Sequence, residues 1–146
     1  MKKNLTILVV AIAALAVAGG VGLNAVRASG GGTSVKAEVR FGASTVDPLA
    51  SGKAKSEQRP DRTRFAVEVE DMATTGAHSV RISRGGAEIA NSPVTLNVDA
   101  LGFGELELNT QDGALTVPEA VAGDLVQVFS PSPDSQLILE GTLAPK

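Results

Sequence analysis

Between residues 93 and 109 the chain alternates with a strict period of two. Val94, Leu96 and Val98 are separated by Thr95 and Asn97, and Leu106 and Leu108 are separated by Glu105, Glu107 and Asn109. Successive strand side chains point to opposite sides, so each set implies one buried and one wet face. Ala100 to Gly104 contains two glycines and supplies the reversal. The stretch Pro93–Asn109 therefore reads as a β-hairpin around which the rest of the chain is organised.

The same alternation recurs on both sides of it. Val35, Ala37, Val39 and Phe41 predict a first strand, followed by a loop over Gly42–Ser51. Gly52–Arg59 is a polar strand candidate with Ala54 and Ser56 as its inward residues, placed at or near a sheet edge because lysines discourage edge pairing. A turn over 59–63 leads into a strong strand, Arg64–Glu70, with Phe65, Val67 and Val69 inward. Ala77–Ser83 puts His78, Val80 and Ile82 on one face, and Ala87–Ala90 returns after an Arg84-Gly85-Gly86 turn. Gln111–Gly113 closes the far end of the hairpin, and Ala114–Pro118 reads as a short extended piece. Leu125–Phe129 is nearly all apolar and predicts a central strand, and Leu137–Leu139 returns and ends near Leu143. Eight or nine short strands without a helix predict an all-β fold, a single antiparallel β-sandwich of immunoglobulin-like size, with a small barrel as the alternative.

The first 34 residues follow a different pattern. Lys2 and Lys3 precede an uncharged apolar run from Leu5 to Leu23, and Val26-Arg27-Ala28 provides a cleavage-type sequence before Ser29. Residues 1–28 are therefore expected to be a signal peptide or a membrane anchor helix, and 29–34 a glycine-rich linker to the 35–146 domain. The expected location is exported: periplasmic, secreted, or tethered on the outer side of a membrane. The absence of cysteine excludes disulfides, thiolate metal sites and cysteine nucleophiles. Removing residues 1–28 takes away Lys2, Lys3 and Arg27, leaving 10 cations against 16 acids, a net charge of −6. That balance argues against nucleic acid and anionic membranes as general partners.

The stretches Ser51–Lys55, Phe65–Asp71, Gly104–Leu108 with Asp112-Gly113, and Gly123–Val128 resemble an unnamed class of bacterial secreted β-sandwich domains. They are similar in style to chordin-type repeats of bacterial extracellular proteins, although the histidine-rich segments usual there are missing. The resemblance implies a secreted β-domain and carries no activity with it.

Candidate chemistry is sparse. His78 is the single histidine, and Thr74, Thr75 and Ser79 are its nearest hydroxyls in sequence, but no Gly-x-Ser-x-Gly elbow accompanies them. The pairs Glu68/Glu70 and Glu105/Glu107 have a spacing that glycosidases use, yet there is no Trp or Tyr to hold a sugar ring. Asn109, Asp112, Asp99 and Asp124 are loop oxygens without a calcium-loop spacing, and turn formation accounts for them. Lys53, Lys55, Arg59, Arg62 and Arg64 concentrate positive charge on one hairpin and form the candidate binding set. Neither a catalytic set, a metal site nor a cofactor is expected.

The expected function is an exported, non-enzymatic structural or interaction module of the bacterial cell envelope or extracellular matrix. Its partner is expected to be an envelope or extracellular protein, or further copies of itself joined through the Val35–Phe41 strand. The alternative is a ligand- or polyanion-binding domain that uses the 53–64 hairpin against an anionic polysaccharide. A small hydrolase using Asp71, Glu105 and Glu107 is the third reading.

Overall fold

A computed structural model describes residues 33–114 and 116–146. The leader and most of the linker lie outside the described residues. Among the described residues no helix is long and apolar enough to cross a membrane.

The described chain is nearly all β and forms one curled antiparallel sheet. Its strands are β1 (Val35–Arg40), β2 (Gly42–Ala43), β3 (Ser51–Arg59), β4 (Arg62–Glu70), β5 (Gly76–Arg84), β6 (Ala87–Glu88), β7 (Val94–Val98), β8 (Gly104–Asn109), β9 (Leu125–Phe129), β10 (Leu137–Thr142) and β11 (Ala144–Pro145). The order across the sheet is β11-β1-β3-β4-β8-β7-β5-β9-β10-β2, with β6 beside β5. Eight strands of five residues or more correspond to the eight or nine expected from alternation.

The curl brings the two margins together. Gly42 and Ala43 pair with Glu140 and Leu139, while Ala37 and Glu38 pair with Pro145 and Ala144. All four pairs lie in one register, so β1/β2 and β10/β11 form a single antiparallel seam that is interrupted at its middle. Gly141 faces the interruption, where a Cβ would fall 2.5 Å from Val39 Cγ2.

The period-two reading holds for the core. Phe65, Val67 and Val69 of β4, Val80 and Ile82 of β5, Leu96 and Val98 of β7, and Val126 and Val128 of β9 are all buried. β9 runs between β5 and β10, as its apolar composition predicts.

Several expectations are corrected. β3 is an interior strand, paired with β1 on one side and β4 on the other, so its lysines do not guard an edge. Its small inward residues leave room for the connection between β8 and β9. The Ser56 hydroxyl and the Gln58 amide both donate to the Ala120 carbonyl there.

The 93–109 hairpin is a corner rather than a long ladder. β7 and β8 share the single pair Val98↔Gly104, after which β7 continues with β5 and β8 with β4. A Cβ on Gly104 would fall 2.9 Å from the Asn97 carbonyl oxygen and 3.1 Å from Val69 Cγ2, so the corner is tightly filled.

Gly42–Ala43 is a strand rather than loop, and the described residues of the 114–118 stretch, 114 and 116–118, are not in a strand; Val117 and Pro118 instead pack inward. Val35 is half exposed, because the core begins at Ala37.

Candidate functional site

The outer face of β1, β3, β4 and β8 carries most of the positive charge. Alternation sends Lys36, Glu38 and Arg40 outward from β1, and Lys53, Lys55, Glu57 and Arg59 outward from β3. β4 adds Arg62, Arg64, Ala66, Glu68 and Glu70, and β8 adds Glu105 and Glu107. With Lys146 beside β1, this face holds eight of the ten Lys and Arg residues between positions 33 and 146. The other two are engaged elsewhere: Arg81 stacks over the Phe129 ring at 4.7 Å and Arg84 pairs with Asp124.

Register decides which charges meet. Glu57 lies opposite Lys36 on one side and Arg64 on the other. Its carboxylate takes Arg59 at 2.6 Å, Arg62 at 2.7 Å and Lys36 at 3.6 Å, and the Ser34 hydroxyl donates to it at 3.1 Å. Burial pushes this carboxyl upward, but the Arg59 and Ser34 hydrogen bonds and the Arg59 and Arg62 charges outweigh burial and bring it down to about 2. Lys53 pairs with Glu68 at 2.8 Å. Arg64 pairs with Glu107 at 2.7 Å, and that hydrogen bond raises the guanidinium further. Glu68 and Glu105 stand directly opposite each other, a like-charge pair that the neighbouring Lys53 relieves.

Lys55 forms no ion pair among the described residues. It sits opposite Ala66 on β4 and Glu38 on β1. Because Ala66 is short, the face dips there into a depression of about 160 Å³. Lys36, Lys55, Arg64 and Lys146 line it, together with Glu38 and Glu57. Arg62 Nε and Arg64 Nε are buried donors that find no acceptor. Unmatched buried donors are costly, so these two guanidinium nitrogens lower the stability of the face rather than add to it.

Of the five residues picked out from the sequence, Lys55 and Arg64 thus border one depression, Arg59 and Arg62 gather on Glu57 at one end, and Lys53 lies toward the other. Lys36 and Lys146 were missed. The outward alternation of β1 was visible for Lys36, but the pairing of β1 with β3 and β11 depends on contacts distant in sequence.

His78 is fully buried on the inner face of β5. Its Nδ1 is 3.1 Å from the Gly76 carbonyl oxygen and its Nε2 is 2.9 Å from the Thr74 hydroxyl. A carbonyl only accepts, so in the neutral ring Nδ1–H donates to Gly76 and Nε2 accepts from Thr74. The Asp47 carboxylate accepts the Ala73 N–H at 2.7 Å. Both ring nitrogens are satisfied within one turn of chain, which explains a histidine in the core.

The loop oxygens are also used locally. Asn109 donates to Asp112 and accepts from the Gln111 N–H, Asp99 accepts from Leu101 and Phe103, and Asp124 holds Arg84. Among the described residues no group of three or more acids and histidines is placed to hold a metal ion. No protein-family model matches the chain, and no curated protein matches it.

Proposed function

We propose that the protein is an exported, non-enzymatic interaction or structural module of the bacterial cell envelope or extracellular matrix. The observation that carries this reading is the segregation of charge. Acids outnumber cations over residues 33–146, yet eight of ten cations share one sheet face. A surface with its own sign of charge favours encounter with a complementary surface. We read the curled sheet as a sandwich. β1, β3, β4 and β8 form one layer, and β5, β7, β9 and β10 the other. The layers join at Val98↔Gly104 and at the change of partner between β1 and β2. Phe65, Val67 and Val69 from the first layer and Val80, Ile82, Leu96 and Val126 from the second would fill the space between.

Native mass spectrometry of protein recovered from the envelope and the medium tests the reading. The expected species is Ser29–Lys146, or the full chain held in a membrane fraction, in complex with a protein partner or further copies. Protein found only in the cytosol, free of any complex, overturns it.

The unpaired Lys55, in a depression that Lys36 and Lys146 also line, favours a second reading, a domain that binds an anionic polysaccharide. Retention on an immobilised polyuronate should fall steeply with salt and should be lost in Lys55→Glu/Arg62→Glu. Salt-independent retention, or retention unchanged by the double substitution, rules it out.

A further inference from the structure

Three loops meet at the end of the fold opposite Val35 and Lys146: residues 44–50, 71–75 and 130–136. They border an open cleft of about 470 Å³. Its walls are held by hydrogen bonds. Asp47 Oδ2 accepts the Ala73 N–H at 2.7 Å, and the Gly102 carbonyl accepts the Met72 N–H at 3.1 Å, so the 71–75 segment is tied from two sides. In the 130–136 loop the Ser130 hydroxyl accepts the Gln136 N–H at 2.9 Å, and the Ser130 N–H donates to the Gln136 carbonyl at 2.8 Å. A site with fixed walls loses little freedom when it is filled.

The cleft holds a buried carboxylate without a counter-charge. Two acids are buried among the described residues, Asp47 at 4% exposure and Asp124 at 1%. Asp124 accepts three hydrogen bonds and is paired with Arg84. Asp47 has the Ala73 N–H alone: among the described residues its Oδ1 accepts no hydrogen bond and no cation pairs with it. Buried charges are normally paired, and this one lines the cleft. The other lining groups add to its acceptor character. Thr74 commits its one proton to His78 Nε2 at 2.9 Å, so toward the cleft its hydroxyl only accepts. Asp134 brings a second carboxylate, and no lysine or arginine lines the cleft. Val46 and Pro131 give it apolar walls.

We propose that this cleft binds a primary ammonium carried on an aliphatic stem, with Asp47 Oδ1 as its counter-charge, Thr74 as a further acceptor, and Val46 and Pro131 against the stem. An ammonium is a compact charge with three donors, which one carboxylate oxygen and neighbouring hydroxyls can satisfy. A guanidinium is a planar fork suited to a carboxylate with both oxygens open, and Oδ2 is already committed to Ala73. Water can solvate Oδ1 but brings no charge. A metal ion is poorly served, since among the described residues no group of three acids and histidines assembles. The site goes beyond the interaction-module reading and does not depend on it, because the same ammonium occurs on a free alkyl diamine and on a lysine side chain of a partner protein.

Isothermal titration calorimetry of the full chain tests the site, with pentylamine, pentanol, cadaverine, and lysine and arginine blocked at both ends as probes. Pentylamine is expected to bind and pentanol, of the same shape without the charge, is not. Blocked lysine should bind about tenfold more tightly than blocked arginine. Asp47→Asn keeps an oxygen for the Ala73 N–H and turns an amide toward the cleft, so it should weaken pentylamine binding about tenfold or more. Asp134→Lys, at an exposed position, leaves the Asp47 contact in place and should weaken binding as strongly, which keeps the test decisive if Asp47→Asn does not fold. Cadaverine bound more tightly than blocked lysine assigns the site to a free diamine, and the reverse order assigns it to a partner's lysine. Equal heats from pentanol and pentylamine, displacement of pentylamine by calcium chloride at equal ionic strength, binding unchanged by the substitutions, or no binding of pentylamine overturns the proposal.

Discussion

Asparagine in place of Asp124 removes a charge from the joint between the 119–124 connection and the lower end of β5. The Asp124 carboxylate is buried and accepts three hydrogen bonds: from Arg84 Nε at 2.8 Å, from Arg84 Nη2 at 2.9 Å and from the Val121 N–H at 2.9 Å. Asparagine keeps the shape and one oxygen. Its amide nitrogen would face the guanidinium in either orientation, and in one of them the Val121 N–H as well, donor against donor. Breaking a buried ion pair from one side costs about 3–5 kcal/mol when the remaining charge stays buried. Arg84 is 55% exposed and can rehydrate, which lowers the cost. The expected loss is about 2–3 kcal/mol, in the range for one or two hydrogen bonds to a charged group.

Urea unfolding followed by far-ultraviolet circular dichroism measures this loss, since the chain has no Trp or Tyr to report by fluorescence. A cycle with Arg84→Met isolates the pair. The acid limb provides a second readout. The Arg84 hydrogen bonds hold the Asp124 carboxyl below its ordinary value of 3.8, with burial opposing and the Val121 N–H assisting. A lowered carboxylate contributes stability that is present above the unfolded value and lost as pH falls through the folded one. Asp124→Asn should therefore flatten the stability profile below about pH 4. A loss under about 0.5 kcal/mol, or strict additivity with Arg84→Met, would refute the assignment of this joint to the ion pair.

Three further outcomes are expected. Glu57→Gln should reduce the steepness of acid unfolding between pH 4.5 and about 2, the window over which the lowered Glu57 carboxyl takes up its proton; an unchanged profile would mean that Arg59 and Arg62 do not act through it. Phe65→Ala should cost about 3–5 kcal/mol in urea unfolding, because the ring is fully buried in the apolar core; a cost below 1 kcal/mol would place the core elsewhere. Gly102→Ala should cost about 1–3 kcal/mol, since Gly102 has φ +79° and a Cβ would fall 2.6 Å from the Met72 carbonyl oxygen; faster amide exchange at Met72 would report the broken tie.

Alternation made the inward residues of β4, β5, β7 and β9 legible, because one buried face stamps a period of two on each strand. Pairing was less legible. β3 looked like an edge strand, since its outward lysines fit edge protection and its inward Ala54 and Ser56 look weak. Ser56 is taken up by the Ala120 carbonyl, 64 residues away in the chain. Likewise, nothing local to Pro93–Asn109 shows that β8 leaves β7 after one pair to join β4.

The candidate site was half visible for the same reason. The charges of the 53–64 hairpin could be counted, but not that Glu57 would gather three cations while Lys55 went without a carboxylate. The expected free edge at Val35–Phe41 is also absent. β1 has β3 on one side and β11 on the other, so a neighbour could add a strand there only by displacing Ala144 and Pro145.

The seam between β1/β2 and β10/β11 also sets a timetable. Synthesis runs from residue 1 upward, so β1 is made early and finds β3 within some twenty residues. Its other margin waits for Leu139 to Pro145, about a hundred residues later. Until then the half-made molecule carries an unpaired strand margin, the kind of surface that invites wrong partners. Pairing between such distant segments is also slow to find. A chain halted before residue 139 would lack the segments that form this seam, and holding that early margin apart from other chains would fall to whatever escorts the growing polypeptide.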